Sequence, residues 1–318
     1  MANEKSLPRR LYKYRAFSKN TLRMFSEAEV YFARPETFND PFDCNPAVVS
    51  DVDMSEVERL WKRVAVRSHQ ARGDSQDAAR EKAARQLGEY RYNATEYGGT
   101  YNDNGEGTDT YVRFLVRDIT DYVNLRYQGH GVLSLAERWD CPLMWSHYAE
   151  EHNGLCIGYS TDDHRCKQLG PVNYRSSRYM KVSDLIEWMI GRSTAARDKV
   201  FQQYFYAKAP QWRYEKDWRA VSKANGTDGR PFHIESVHFG LRCDVSISTT
   251  IVKLMSGAAD DIKFYQMASR DDGFKLRRYE MDLAEIEACG VRDSTHYLFD
   301  GFEFEPTEAI GKITGSQV

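Results

Sequence analysis

Polar and apolar positions change period several times along the chain, and each change marks an element. Residues 11–17 are rich in Tyr and Phe and read as a strand. Ser18 can cap a short helix to about Glu27, with Leu22 and Phe25 three apart on one face. Residues 30–33 form a second short strand, Pro35 ends regular structure, and Asn39-Asp40-Pro41 signals a turn. Asp53 and Glu56 make a capping box for a helix that carries Val57, Leu60, Trp61, Val64 and Val66 and ends near Gly73. A second, highly charged helix follows Ser75 and runs to about Leu87. Residues 93–108 are a Gly/Asn/Tyr loop, and 110–127 are helical again.

The texture changes at Gly131. Residues 132–135 read as a strand, Pro142 opens a helix to about Glu151, and Asn153-Gly154 stops it. Residues 155–159 are a strand, 182–206 a helix, 212–221 an alternating strand and 234–239 another strand. Residues 248–256 read as a helix and 262–267 as a strand. The elements interleave without a steady βαβ rhythm, and neither GxGxxG nor GxxxxGK[ST] occurs. The expected fold is therefore α+β, a twisted, mostly antiparallel central sheet with flanking helices and a helical insertion. The expected division is a composite core from residues 1–50 and 128–285, an insertion at 51–127 and a tail at 286–318. The sequence contains no internal repeat.

Composition narrows the function. Aromatic residues make up 13% of the 318, which favours packed surfaces with polar tips over disorder. A net charge of −3 gives no support for nucleic-acid binding by phosphate neutralisation alone. No run of about 18 apolar residues occurs, and the charged start MANEKSLPRRLYKYR has no signal-peptide core. None of the six cysteines forms a CxxC, so reduced thiols and a cytoplasmic location are expected, with no membrane partner. The Asn93-Ala-Thr95 sequon has no meaning there.

Four groups of residues can carry chemistry. The eight histidines are scattered, and His147 and His152, five apart, would sit about 140° apart on a helix, unlike an HExxH pair. No metal site is expected. On the 142–151 helix, His147 and Glu151 are spaced to bond along one face, and Met144, Tyr148 and His152 form a stripe. That stripe is either core or a ligand platform on which Tyr148 presents its ring. If residues 212–221 alternate, Arg213, Glu215, Asp217 and Arg219 share one face, either a solvated ladder of opposite charges or a cleft acid, with Glu215 the choice because Trp212 and Tyr214 flank it. Tyr12, Lys13, Tyr14 and Arg15 on the first strand precede Arg34, Asn39, Asp40 and Asp43, which either build a turn or edge a pocket.

These segments resemble a known family. Leu11-Tyr12-Lys13-Tyr14-Arg15, Phe38-Asn39-Asp40-Pro41-Phe42-Asp43, Met144-Trp145-Ser146-His147-Tyr148-Ala149 and Tyr214-Glu215-Lys216-Asp217-Trp218-Arg219, with Lys208, Trp212 and Val237-His238-Phe239-Gly240, resemble the bacterial family known as domain of unknown function 2971. Asp217 departs from the expected Glu. The order of a first strand, a Tyr-bearing helix and a late Glu-bearing strand is also similar to the ADP-ribosyltransferase plan, although no His stands on the first strand. That similarity implies Glu215, Tyr148 and Arg15 as catalytic residues and NAD as substrate, without metal. It implies Tyr14, Arg34, Asn39, Asp40, His147, Trp145 and Arg219 as residues binding the nucleotide. Such bacterial enzymes are often toxins or phage-defence effectors. Two other readings stay open: a non-catalytic ligand-sensing module using the same rings, and a metal-dependent nuclease using Asp40, Asp43, Glu215 and Asp217.

Overall fold

The computed structural model describes residues 6–96, 110–162, 164–256, 261–270 and 273–288. The chain divides into two compact units, residues 1–281 and 282–318. In chain order the first unit runs β1 (Arg10–Arg15), α1 (Lys19–Ser26), β2 (Glu29–Phe32), β3 (Ala47–Val49), α2 (Met54–Ala71), α3 (Gln76–Glu96) and α4 (Thr110–Tyr127). It continues with β4 (Gly131–Ala136), α5 (Pro142–Tyr148), β5 (Leu155–Ser160), β6 (Leu169–Pro171), β7 (Tyr179–Lys181), α6 (Val182–Met189) and α7 (Thr194–Tyr206). It ends with β8 (Asp217–Ser222), β9 (Gly226–Gly229), β10 (His233–Phe239), α8 (Val245–Met255), β11 (Lys263–Ser269) and β12 (Leu276–Glu280). In the second unit the described element is a short helix, Leu283–Ala288, and the remainder of the expected tail lies outside the described residues.

The fold is α+β. Eight strands form the central sheet in the order β12-β11-β10-β5-β1-β4-β8-β6, antiparallel throughout except for the parallel β10–β11 pair. Two small sheets, antiparallel β2–β9 and parallel β3–β7, flank it. The three helices of residues 51–127 pack within the first unit, where Leu60, Trp61, Leu87, Leu115 and Ile119 share one core with Leu185, Val200 and Phe205 of α6 and α7. A smaller core of Tyr12, Tyr14, Met144, Trp145 and Cys156 joins α5 to β1 and β5. Among the described residues no helix is long and apolar enough to cross a membrane.

Three elements differ from the periodicity reading, each through backbone that leaves the regular regions. The expected strand at 212–221 begins only at Asp217: Pro210–Glu215 wind into a 3₁₀ turn and Lys216 is left-handed at φ 48°. The helix expected to reach Glu151 stops at Tyr148, because Glu150, Glu151 and His152 are all left-handed, at φ 49°, 52° and 72°. The helix expected over 182–206 breaks around Gly191 and Arg192, the latter at φ 58°. In the other direction α3 runs on to Glu96, beyond Leu87. Strands β3, β6, β7, β9 and β12 had no legible pattern, and β3, β6 and β7 are only three residues long.

The sheet has a seam. β1 pairs with β5 over six residue pairs, but meets β4 only at Tyr12↔Ala136. Beyond that pair the two strands diverge, and an isolated bridge between Ala33 and Val132 draws the end of β2 across the opening.

Candidate functional site

A cavity of about 390 Å3 occupies this seam, lined by residues of β1, β4, α5, the 37–43 turn and the Lys208–Asp217 segment. Its acidic wall depends on the turn before β8. The 3₁₀ turn and left-handed Lys216 put Glu215 and Asp217 beside one another instead of two places along a straight strand. Lys208, just beyond the C-terminal end of α7, lies between them. Its ammonium donates to Glu215 Oε2 and, at 2.7 Å, to Asp217 Oδ2, and stands 3.9 Å from Asp43 Oδ2. All four side chains are no more than 7% exposed. Asp43 pairs with Arg219, which also donates to the Phe205 carbonyl.

These five groups carry three acids and two bases, so the buried cluster has one negative charge in excess unless an acid holds a proton. Glu215 is that acid. Burial first, then the charge of Asp217, pushes its carboxyl up to about 7. Asp217 remains ionised: burial acts to raise it, but Lys208, a hydrogen bond with Glu215 and the charge of Arg219 together outweigh that and leave its pKa below the usual carboxylate value. Burial would likewise lower Lys208, and the charges of Asp217 and Glu215 outweigh it, so its pKa is raised.

Tyr148, at the last turn of α5, donates its hydroxyl to Glu215 Oε1 at 2.7 Å and accepts from Asn39 Nδ2 at 3.3 Å. Burial and then the Glu215 charge hold the phenol well above its ordinary pKa. The backbone behind it fixes that helix end. Left-handed residues 150–152 turn the chain tightly enough for Gly154 N–H to bond the Ala149 carbonyl at 2.8 Å. A Cβ at Gly154 would lie 2.2 Å from the Arg15 carbonyl oxygen, so only glycine lets this turn sit against β1.

The opposite wall is basic. Lys13 on β1 donates to the Ser134 carbonyl at 2.8 Å, across the seam. Burial, and next the neighbouring charge of Arg15, push its ammonium down to about 7. Arg15 also lines the cavity, its Nε buried without a hydrogen-bond partner and its pKa lowered by burial. Neither cation has a carboxylate partner among the described residues. One cavity therefore holds an acidic wall bridged by Lys208 and a basic wall whose cations have no carboxylate partner among the described residues.

Of the residues singled out in the sequence, Arg15, Tyr14, Asn39, His147, Tyr148 and Glu215 line this cavity. Four do not. Arg34 is exposed and donates to Asn225 at 2.9 Å. Asp40 is buried as a turn-former, accepting from Trp212 Nε1 at 2.8 Å and from the Phe42 amide at 2.9 Å. Trp145 is fully buried, bonded to the Trp139 carbonyl and set edge-on to Tyr14 at 5.3 Å. Arg219 is fully buried as the partner of Asp43. Tyr14 itself spends its hydroxyl on the Arg138 carbonyl at 2.8 Å. The spacing that would join His147 to Glu151 is broken by the left-handed turn.

Lys13, Lys208 and Asp217, none of them assigned to the NAD site in the sequence, also line the cavity. Lys208 is invisible to a periodic reading because it reaches Glu215 only through an irregular turn. Among the described residues no three His, Cys, Asp or Glu side chains converge as ligands for a metal ion. The four acids of the nuclease reading are divided between Trp212, Arg219 and Lys208.

Fold and cavity together define an α+β protein with a charged, tyrosine-bearing cavity whose size falls within the range of small-molecule pockets. Residues 144–220, which span Tyr148, Lys208, Glu215 and Asp217, match the family model described as "Protein of unknown function (DUF2971)". No curated protein and no solved structure matches the chain.

Proposed function

We propose that the seam cavity cleaves the bond between nicotinamide and ribose in NAD, passing ADP-ribose to water or to another acceptor. One observation carries this reading: Arg15, Tyr148 and Glu215, from three distant segments, line a single cavity in which the Tyr148 hydroxyl bonds the Glu215 carboxylate. Breaking the C–N bond sends its electron pair to the departing nicotinamide and leaves positive charge on the ribose, as in glycoside cleavage. A fixed, buried carboxylate stabilises that charge as it forms. In this reading Glu215 accepts from a ribose hydroxyl. Tyr148 orients Glu215, and its ring offers the nicotinamide a face. The basic wall suits the diphosphate, with Arg15 as a bidentate donor and Lys13 as a point charge. Attack by water on the ribose carbon would release one proton and complete hydrolysis. In a bacterial cell this chemistry would suit a toxin or phage-defence effector.

The test is nicotinamide release from NAD by the purified chain and by Glu215→Gln. The expected outcome is turnover by the wild type and loss of at least about 100-fold in the variant. No release by the wild type, or full retention in the variant, removes the reading. A second reading has its own support. Glu215 is already satisfied by Lys208 and Tyr148, as suits a site that binds without reacting. Thermal stabilisation by NAD with no turnover favours that alternative.

A further inference from the structure

A second cavity, of about 630 Å3, lies on the other side of β2 from the first. Strand alternation makes β2 a shared wall: Tyr31 and Ala33 line the first cavity, and Phe32 between them lines the second. The floor of the second cavity is apolar, with Phe32 and Val221 both buried. Its rim carries four cations, Arg165, Lys167, Lys223 and Arg230, against one acid, Asp228. That acid already accepts from the Gly229 amide at 2.7 Å. None of the four cations has a carboxylate partner among the described residues, and the polar contact of Arg230 is with the Met24 carbonyl at 3.1 Å.

Among the described residues some exposed cations elsewhere on this protein are paired, as Arg23 is with Glu27 and Glu29, and Arg91 with Glu58, but none of these four rim cations is. The net charge of the whole chain is −3, so a local excess of three positive charges around one hollow runs against the molecule's general balance. Repulsion among unpaired cations is tolerated at low energy only while water screens it, and it is relieved by a multiply charged anion. Guanidinium groups suit phosphate oxygens by geometry, and lysines add charge from flexible stems. The apolar floor suits a flat organic group, and the hollow is within the size range of small-molecule sites.

We infer that this second cavity is a binding site for a phosphorylated small molecule of nucleotide class, its phosphates held by Arg165, Lys167, Lys223 and Arg230 and its organic part set on Phe32. The assignment does not depend on the chemistry proposed for the seam cavity.

The test uses inorganic tripolyphosphate and ADP as probes, titrated calorimetrically into the full chain at low salt. Lys167 and Lys223 are exposed and make no contact that the fold needs, so Lys167→Gln/Lys223→Gln should fold normally. The expected result is saturable binding with a component weakened at least tenfold in this double variant and retained in Lys167→Arg/Lys223→Arg. ADP binding more tightly than inorganic diphosphate would support the apolar floor. No saturable binding of either probe overturns the assignment. So does binding that survives the glutamine pair but is lost in Lys13→Gln, which would put the anion in the seam. An affinity for single-stranded RNA that rises with its length and exceeds that for ADP would also overturn it, in favour of a nucleic-acid surface.

Discussion

Lys208→Met tests whether the acidic wall is held together by one ammonium. The substitution keeps the length and apolar stem of the side chain and removes its charge. Asp217 loses its charge partner at 2.7 Å, whereas Glu215 keeps Tyr148 and Asp43 keeps Arg219. At an effective dielectric of about 20, two unit charges at that distance attract by about 6 kcal/mol. Relief from desolvating the ammonium offsets part of this, and removing one member of a buried pair typically costs about 3–5 kcal/mol. At roughly 2 °C per kcal/mol for a chain of this size, Tm should fall by about 6–10 °C at pH 8. The loss must also depend on pH. Without Lys208, the folded-state pKa values of both Asp217 and Glu215 lie above their unfolded values. An acid whose folded pKa is raised contributes its full stability at low pH and loses it as pH rises through the folded value. The deficit relative to wild type should therefore be smaller at pH 5 than at pH 8. Urea unfolding at the two pH values reads both effects. A variant as stable as wild type at pH 8, or one equally impaired at both pH values, would refute the argument.

Further outcomes follow from the same geometry. If the seam turns over NAD, activity should be bell-shaped around pH 7: Glu215, pushed up to about 7, must lose its proton, and Lys13, pushed down to about 7, must keep its own. Lys13→Arg holds its charge at every working pH, so the alkaline rise in KM should vanish; an unchanged alkaline limb would show that Lys13 does not hold the substrate. Tyr148→Phe removes a donor to Glu215, so the acid limb of that profile should move to higher pH while unfolding free energy drops by about 1 kcal/mol. A shift to lower pH would contradict the assigned bond. Gly240→Ala would set a Cβ 2.0 Å from the His152 carbonyl oxygen, and the shift needed should destabilise the protein by about 1–3 kcal/mol in calorimetry. Trp145→Ala, at a fully buried site edge-on to Tyr14, should cost about 3–5 kcal/mol, and a neutral result would mean that α5 is not anchored by its core face.

Elements with strong period and clear caps were legible from the chain alone. Asp53 does accept from the Glu56 amide at 3.1 Å at the head of α2, and Ser18 caps α1 through the Thr21 amide. The periodicity of β1, β4, β5 and β10 reads correctly because each lies inside the sheet and buries alternate or successive apolar residues. What escaped was irregular backbone. Lys216, Glu150, Glu151 and His152 are left-handed without being glycine, so no residue type announced the turns that they make. The candidate site was affected in the same way. Glu215 and Tyr148 stood out because an acid and a ring among aromatics are conspicuous, but the charged neighbours that act on Glu215, Asp217 and Lys208, are brought to it by the 3₁₀ turn and left-handed Lys216. Trp145 and Arg219 looked equally chemical, and only burial distinguishes a ring that supports the wall from one that faces a ligand.

The single contact between β1 and β4 has a mechanical consequence. Widening the seam would break one residue pair, at most two backbone hydrogen bonds worth about 1 kcal/mol each, and the Lys13 bond to the Ser134 carbonyl, whereas separating β1 from β5 would break a ladder of six pairs. Compliance in an otherwise stiff eight-stranded sheet is thus concentrated along one line, and the basic and acidic walls stand on opposite banks of it. A guest bridging the two would act as the missing rungs, and should slow amide hydrogen exchange at Ser134 and its neighbours more than anywhere else in the sheet.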